Sequence, residues 1–222
     1  GGQRSASPSK KPFRWRAHMK AHAAQTMAEP TTACPATRLK TSVVPDSIRA
    51  VIHAYSKVHG NLLRHDAHYP PAEALEAVVK QGLAEYGMSG GGPGKDSEGS
   101  EWIIRALEKD DPRPLWITVW GGPNTLAQAL HKLRATRRAA EVDRLLSRLR
   151  VYTISDQDDS GPWMRREFPS LFYIVSPGGY GAATWTGINH VVAGLDNTTI
   201  SNRWIAQNIQ QGHGPLGAAY PD

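Results

Sequence analysis

The run Pro114-Leu115-Trp116-Ile117-Thr118-Val119-Trp120 constrains the fold of this chain more than any other stretch. It is nearly all apolar or β-branched, and it passes directly into Gly121-Gly122-Pro123-Asn124 and then a helical stretch from Thr125 to Leu133. A continuous run of this kind suits a central parallel strand covered on both faces. A second unit of the same design follows. A helix around Arg138 to Leu149, with Val142, Leu145, Leu146 and Leu149 on one face, leads into a strand from Arg150 to Ser155. The loop after it, Asp156-Gln157-Asp158-Asp159-Ser160-Gly161-Pro162, opens a short helix holding Trp163 and Met164, and Leu171 to Val175 reads as a third strand. Strands alternating with helices predict an α/β fold, a mostly parallel sheet flanked by helices. Ligands of such sheets sit beyond the carboxyl ends of the strands. The strands near 115–120 and 150–155 are expected to be neighbours. That places Gly121–Asn124 and Asp156–Trp163 side by side as the candidate site.

The rest of the chain frames that unit. Pro45-Asp46-Ser47 opens a helix with Ile48, Val51, Ile52, Tyr55 and Val58 on one face, ended by Gly60-Asn61. Pro70-Pro71 opens another, with Leu75, Val78 and Val79 as its stripe. His59, His65, Asp66 and His68 between them fit no common zinc spacing and read as a surface loop. Residues 87–99 are glycine-rich and read as a mobile loop. They are not a phosphate loop, because Asp96 follows Gly94-Lys95 and no strand precedes them. Asp96 or Ser97 caps the next helix, which carries Trp102, Ile103, Ala106 and Leu107 and stops at Asp110-Asp111-Pro112. Ser201 caps a last helix with Trp204, Ile205 and Ile209, and the end from Gly212 is expected to be irregular.

Charge excludes one class of partner for most of the chain. Residues 1–40 carry eight Lys or Arg and one Glu, whereas residues 41–222 carry eighteen Lys or Arg against nineteen Asp or Glu. The basic balance belongs to the first forty residues, and the near-neutral remainder argues against nucleic acid as its partner. Residues 1–40 read as an unmatched basic leader: disordered or non-native, a transit peptide, or a basic arm. No run approaches the ~20 apolar residues of a membrane span, and no signal peptide is evident. The single cysteine, Cys34, excludes an internal disulfide framework and a Cys-based zinc site.

Three carboxylates within four residues repel one another unless a cation, sugar hydroxyls or solvent compensates them. Asp156, Asp158 and Asp159 therefore have two readings, a helix-capping loop or a wall facing a sugar or a metal. Trp120, Trp163 and Trp185 offer flat apolar faces to sugar rings, although core packing is the expectation for Trp120. His190 and His213 have no partner that the sequence identifies.

Trp120-Gly121-Gly122-Pro123-Asn124-Thr125-Leu126-Ala127 resembles the strand-turn-helix signature of nucleoside hydrolases. Taken with Lys95–Trp102, Ser155–Asp159, Gly161-Pro162-Trp163, Phe172–Val175 and Ala183–Ile188, it is similar to the nucleoside hydrolase-like domain of the cellulose-binding protein family, from about Thr31 to Pro221. The resemblance implies a Rossmann-like three-layer fold over 41–222 and, in intact relatives, hydrolysis of an N-glycosidic or related sugar bond with calcium. It implies catalytic roles for Asp156, Asp158 and Asp159, and substrate contacts from Asn124, Gln157, Trp163 and Trp185. The Asn124 backbone carbonyl would reach the metal. The partner would be a sugar or nucleoside-like small molecule, or a polysaccharide such as cellulose bound without chemistry. The family's first strand ends in an Asp-rich calcium loop, and residues 1–40 contain no Asp. The later aspartate that completes the site has no match before Asp222. The expectation is therefore a partial domain without calcium and without hydrolytic activity. Intact relatives are expected to be secreted.

Overall fold

The computed structural model describes residues 45–176, 194, 196 and 198–220. Its centre is a three-stranded parallel sheet in the order β1 (Leu115–Val119), β2 (Leu149–Ile154), β3 (Phe172–Ser176). β1 runs beside β2 from Leu115 opposite Leu149 to Val119 opposite Thr153, so the two expected neighbours do pair. The connections are helical. α5 (Asn124–Thr136) and α6 (Ala139–Arg148) join β1 to β2, and α7 (Ser160–Glu167) joins β2 to β3. Parallel strands joined this way in simple order cross over with the same right hand, which puts the crossover helices on one face.

The core lies under that face. Ile117 and Val119 of β1 and Leu149 and Val151 of β2 pack with Leu126, Ala129, Leu130 and Leu133 of α5, Leu145 and Leu146 of α6, and Met164 of α7. Burying each large aliphatic side chain contributes about 1.5–3 kcal/mol. β1 is not covered on both faces, as its apolar run suggested: Ile117 and Val119 are buried and Trp116, Thr118 and Trp120 are exposed. Among the described residues β1 is an edge strand. Trp120, expected in the core, is 53% exposed.

Ahead of the sheet lie α1 (Pro45–Ser56), α2 (His59–Leu62), α3 (Ala72–Glu76), a 3₁₀ turn (Gly87–Gly90) and α4 (Glu98–Leu107). In α1, Ile52 and Ala54 are buried but Val51 faces outward. Gly60-Asn61 falls within α2 instead of acting as a terminator. α3 is shorter than its apolar stripe suggested, although Val79 beyond it is buried. α4 begins as expected. The Ser97 hydroxyl accepts the Ser100 N–H, and the Ser100 hydroxyl accepts the Ser97 N–H in return. Beyond β3, α8 (Asn202–Ile205) runs into a π-helical turn (Ala206–Gln210), followed by α9 (Gly214–Ala218) where an irregular end was expected. Ser201 caps α8 as predicted, accepting the Trp204 N–H. The His213 ring reaches the Gln207 carbonyl, at 3.1 Å. Trp185, His190 and the Gly178–Gly181 loop lie outside the described residues. No helix among the described residues is long and apolar enough to cross a membrane.

Candidate functional site at the strand ends

The loops after β1 and β2 meet at the carboxyl ends of the strands, as the alternation implied. Ser155, the first residue beyond β2, has φ of 55°, a left-handed conformation uncommon outside glycine. Its N–H still donates to the Ser176 carbonyl (2.9 Å), so the ladder extends one residue while the chain turns out of the sheet. That turn directs the acidic loop back across the top of β1.

Each carboxylate there is engaged by a protein group. Asp156 forms a two-pronged ion pair with Arg165 of α7, at 2.8 and 2.7 Å. Such forks are the stronger class of charge-assisted bond. The Arg165 guanidinium also lies 5.2 Å from the centre of the Tyr173 ring. Asp159 accepts the Met88 N–H (2.8 Å). Gly87 precedes it with φ of 58°, and a Cβ there would overlap the Asp159 carboxylate. Asp158 is 6% exposed. Its Oδ1 accepts the Ser160 N–H (2.9 Å) and the Ser160 hydroxyl. Its Oδ2 is buried against Gly122, near the Asn124 amide but without a well-formed hydrogen bond. Burial raises the Asp158 pKa above the ordinary carboxylate value and the Asp159 charge adds to this, while the bonds from Ser160 oppose it. The loop is not a solvated capping loop: Asp159, at the N-cap of α7, makes no side-chain capping bond and turns to Met88 instead, while the buried Asp158 holds Ser160, the first residue of the helix.

The other predicted contacts are also committed. Asn124 is buried, its Nδ2 donating to the Glu85 carbonyl (2.6 Å) and its Oδ1 accepting the Thr125 N–H (2.8 Å). As the first residue of α5 it directs its carbonyl down the helix axis, away from the strand ends. Gln157 folds back to donate to the Ile154 carbonyl (2.9 Å), and its own carbonyl accepts the Tyr86 hydroxyl (2.5 Å). Burial and the two nearby aspartates raise the Tyr86 pKa. Trp163 packs between α7 and α5. Phe168 meets its ring edge-on and the Arg134 guanidinium lies 5.4 Å from its centre. It is not among the groups that gather at the strand ends.

Several residues that hold this region were not singled out from sequence. Thr125 accepts the Leu83 N–H (3.0 Å). Gln128 clasps Gly92, accepting its N–H (2.7 Å) and donating to its carbonyl (3.0 Å) and to Asp96 (2.8 Å). Lys132 pairs with Asp96 and Glu101. The glycine-rich stretch 87–99, expected to be mobile, is thus strapped onto α5 and Asp159. The signal was present as polar residues four apart, Asn124, Gln128 and Lys132, on a helix with an otherwise apolar face. Tyr173 is a further case: burial pushes its pKa up to about 12 and its hydroxyl lacks a well-formed partner.

The calcium that the resemblance implies does not fit the described residues. Their carboxylates here are held by Arg165, Ser160 and the Met88 amide, and no group of three or more His, Cys, Asp or Glu among them is placed to hold a metal ion. In the histidine-rich loop the Asp66 carboxylate is bonded to the ring and N–H of His68.

Residues 17–222 match the family model described as cellulose-binding Sde182, nucleoside hydrolase-like domain. The match begins ahead of Thr31. A solved structure of a nucleoside hydrolase-related hypothetical protein from Saccharophagus degradans, associated with carbohydrate metabolism, is similar at 38% sequence identity and a TM-score of 0.69. The alignment covers 83% of this chain and 41% of that one, so the chain spans less than half of that relative's length. No curated protein matches.

Proposed function

Given that the chain belongs to the Sde182 cellulose-binding family and forms its nucleoside hydrolase-like domain, we propose that it binds carbohydrate without cleaving it. The observation that carries this reading is the state of the three strand-end carboxylates. Glycosidic hydrolysis needs one carboxyl to protonate the leaving group and another to act as base or nucleophile. Here Asp156 is neutralised by a forked arginine, and one oxygen of the exposed Asp159 accepts the Met88 amide. Asp158 faces glycine and serine in the interior. The same groups tie β2, α7 and the 86–92 strap together, which is a structural role.

A second reading keeps the chemistry. A buried carboxyl with a raised pKa is the form that a general acid takes, and Asp158 has it. On that reading the chain would hydrolyse an N-glycosidic or related bond.

One experiment separates the two. The purified chain is incubated with microcrystalline cellulose to measure retention, and with nucleosides plus calcium to measure base release. Retention with no release above the uncatalysed rate is expected. Release that disappears in Asp158→Asn would replace the binding reading with the catalytic one.

A further inference from the structure

The two faces of the sheet differ in chemistry as well as in burial. The face toward the helices is aliphatic, with Ile117, Val119, Leu149 and Val151. The opposite face presents two rows of three residues at the start of the strands; a further pair, Ile154 and Ser176, follows them, and there Ile154 is only 8% exposed. The register aligns Trp116, Arg150 and Phe172 in one row and Thr118, Tyr152 and Ile174 in the next. Trp116 is 46% exposed, Phe172 45%, Ile174 38% and Tyr152 37%. Rows two residues apart along strands ~4.8 Å apart make a continuous surface about 10 Å across.

The composition of that surface says what it suits. A sheet face meant for a covering helix reads as aliphatic and β-branched, like the inward one. These two rows hold three aromatics, one aliphatic residue, two hydroxyl groups and a guanidinium, and Trp116, Tyr152 and Arg150 each join an apolar body to a polar tip. The aromatics are held in place: Trp116 meets Phe172 edge-on at 5.9 Å, and the Arg150 guanidinium lies 5.1 Å from the centre of the Phe172 ring. Arg150 also donates to the Ser147 and Leu149 carbonyls, so its head is fixed. The six residues include no carboxylate and one cation. That charge is too small for a polyanion, which needs several cations to displace its counterions. It matches an uncharged ligand that alternates apolar C–H faces with hydroxyls.

From this we infer that the open face of the sheet, and not the strand-end loops, is the surface on which a neutral β-linked glucan docks. Rings of the glucan lie against Trp116, Tyr152 and Phe172, and its hydroxyls meet Thr118, Tyr152 and Arg150. This assignment rests on the carbohydrate-binding reading above, and moves the contact away from Trp163, which the α5–α7 packing occupies.

The test is retention of the full chain on microcrystalline cellulose, with folding followed by the thermal midpoint. The Trp116→Ala, Tyr152→Ala double variant is expected to lower the partition constant by ~10-fold or more, and Trp163→Phe to change it less than about twofold. Thr118→Arg, which adds bulk at an exposed position and removes no core contact, gives the same loss if the double variant does not fold. Wild-type retention that survives both face variants overturns the assignment while leaving the carbohydrate reading intact. Failure of the wild type to bind overturns both. A wild-type dimer that Thr118→Arg dissociates, with no effect of cellulose on it, would show that a second copy covers the face.

Discussion

Asp158 is the residue whose environment departs furthest from its sequence. A carboxylate beside two others, read along the chain, suggests a solvated or cation-bound loop. In the fold it is enclosed by Gly122 on one side and Ser160 on the other. Gly122 is required because a side chain there would overlap the carboxylate. Burial is the larger influence, so the folded-state pKa stands above the unfolded one. A carboxyl of this kind adds stability that is fully present below the unfolded value of about 3.9 and is lost as pH rises through the folded value, because only the unfolded chain ionises in between. Asn at this position keeps the acceptor for Ser160 and cannot ionise. The stability of Asp158→Asn relative to wild type is therefore expected to grow as pH rises above about 4, as read from urea midpoints at a series of pH values. A difference that stays constant as pH rises would show that Asp158 ionises alike in both states.

At the scale of elements, α5 organises more than the core. Its apolar side packs on the sheet, and its polar side, Asn124, Thr125, Gln128 and Lys132, holds the segment from Leu83 to Glu101. Helix α5, its start after Gly121–Pro123 and its neighbours in the chain were legible from apolar spacing and turn chemistry. The grip was not, because Gly92, Asp96 and Glu85 lie more than thirty residues away and a glycine-rich run has no intrinsic periodicity to show what holds it. Gln128 is nearly fully buried, and removing its amide leaves the Gly92 N–H and carbonyl unpaired. Gln128→Ala is expected to cost about 1–3 kcal/mol and to speed hydrogen exchange at amides 86–95 more than elsewhere. Exchange that rises evenly over the chain would point to global destabilisation instead. The same distance problem explains Trp163: its spacing placed it on a short helix, but the partners Arg134 and Phe168 that occupy its ring follow from how α7 leans on α5.

At the scale of the whole molecule, the described sheet has one closed and one open side, because its strands follow in simple order and their crossovers share a hand. An exposed face this rich in aromatic residues carries consequences. A dye that fluoresces on apolar surfaces is expected to bind the native chain, with a weaker signal for the Trp116→Ala, Tyr152→Ala double variant and a further fall on adding soluble β-glucan. A signal indifferent to both would place the dye on another surface. The α/β class, a helix cap at Asp96 or Ser97, the cap at Ser201 and the family resemblance are legible in the sequence alone, since each depends on neighbours within a few residues or on motifs read in order, whereas the pairing of the strands near 115–120 and 150–155 is fixed by the fold. Which face of β1 is covered, that Trp116 and Trp120 are outside, and that the aspartates at the strand ends already have partners are decided by tertiary structure. The reason is geometric: a strand's residues point alternately to two faces, and the chain's later course determines which face the helices take.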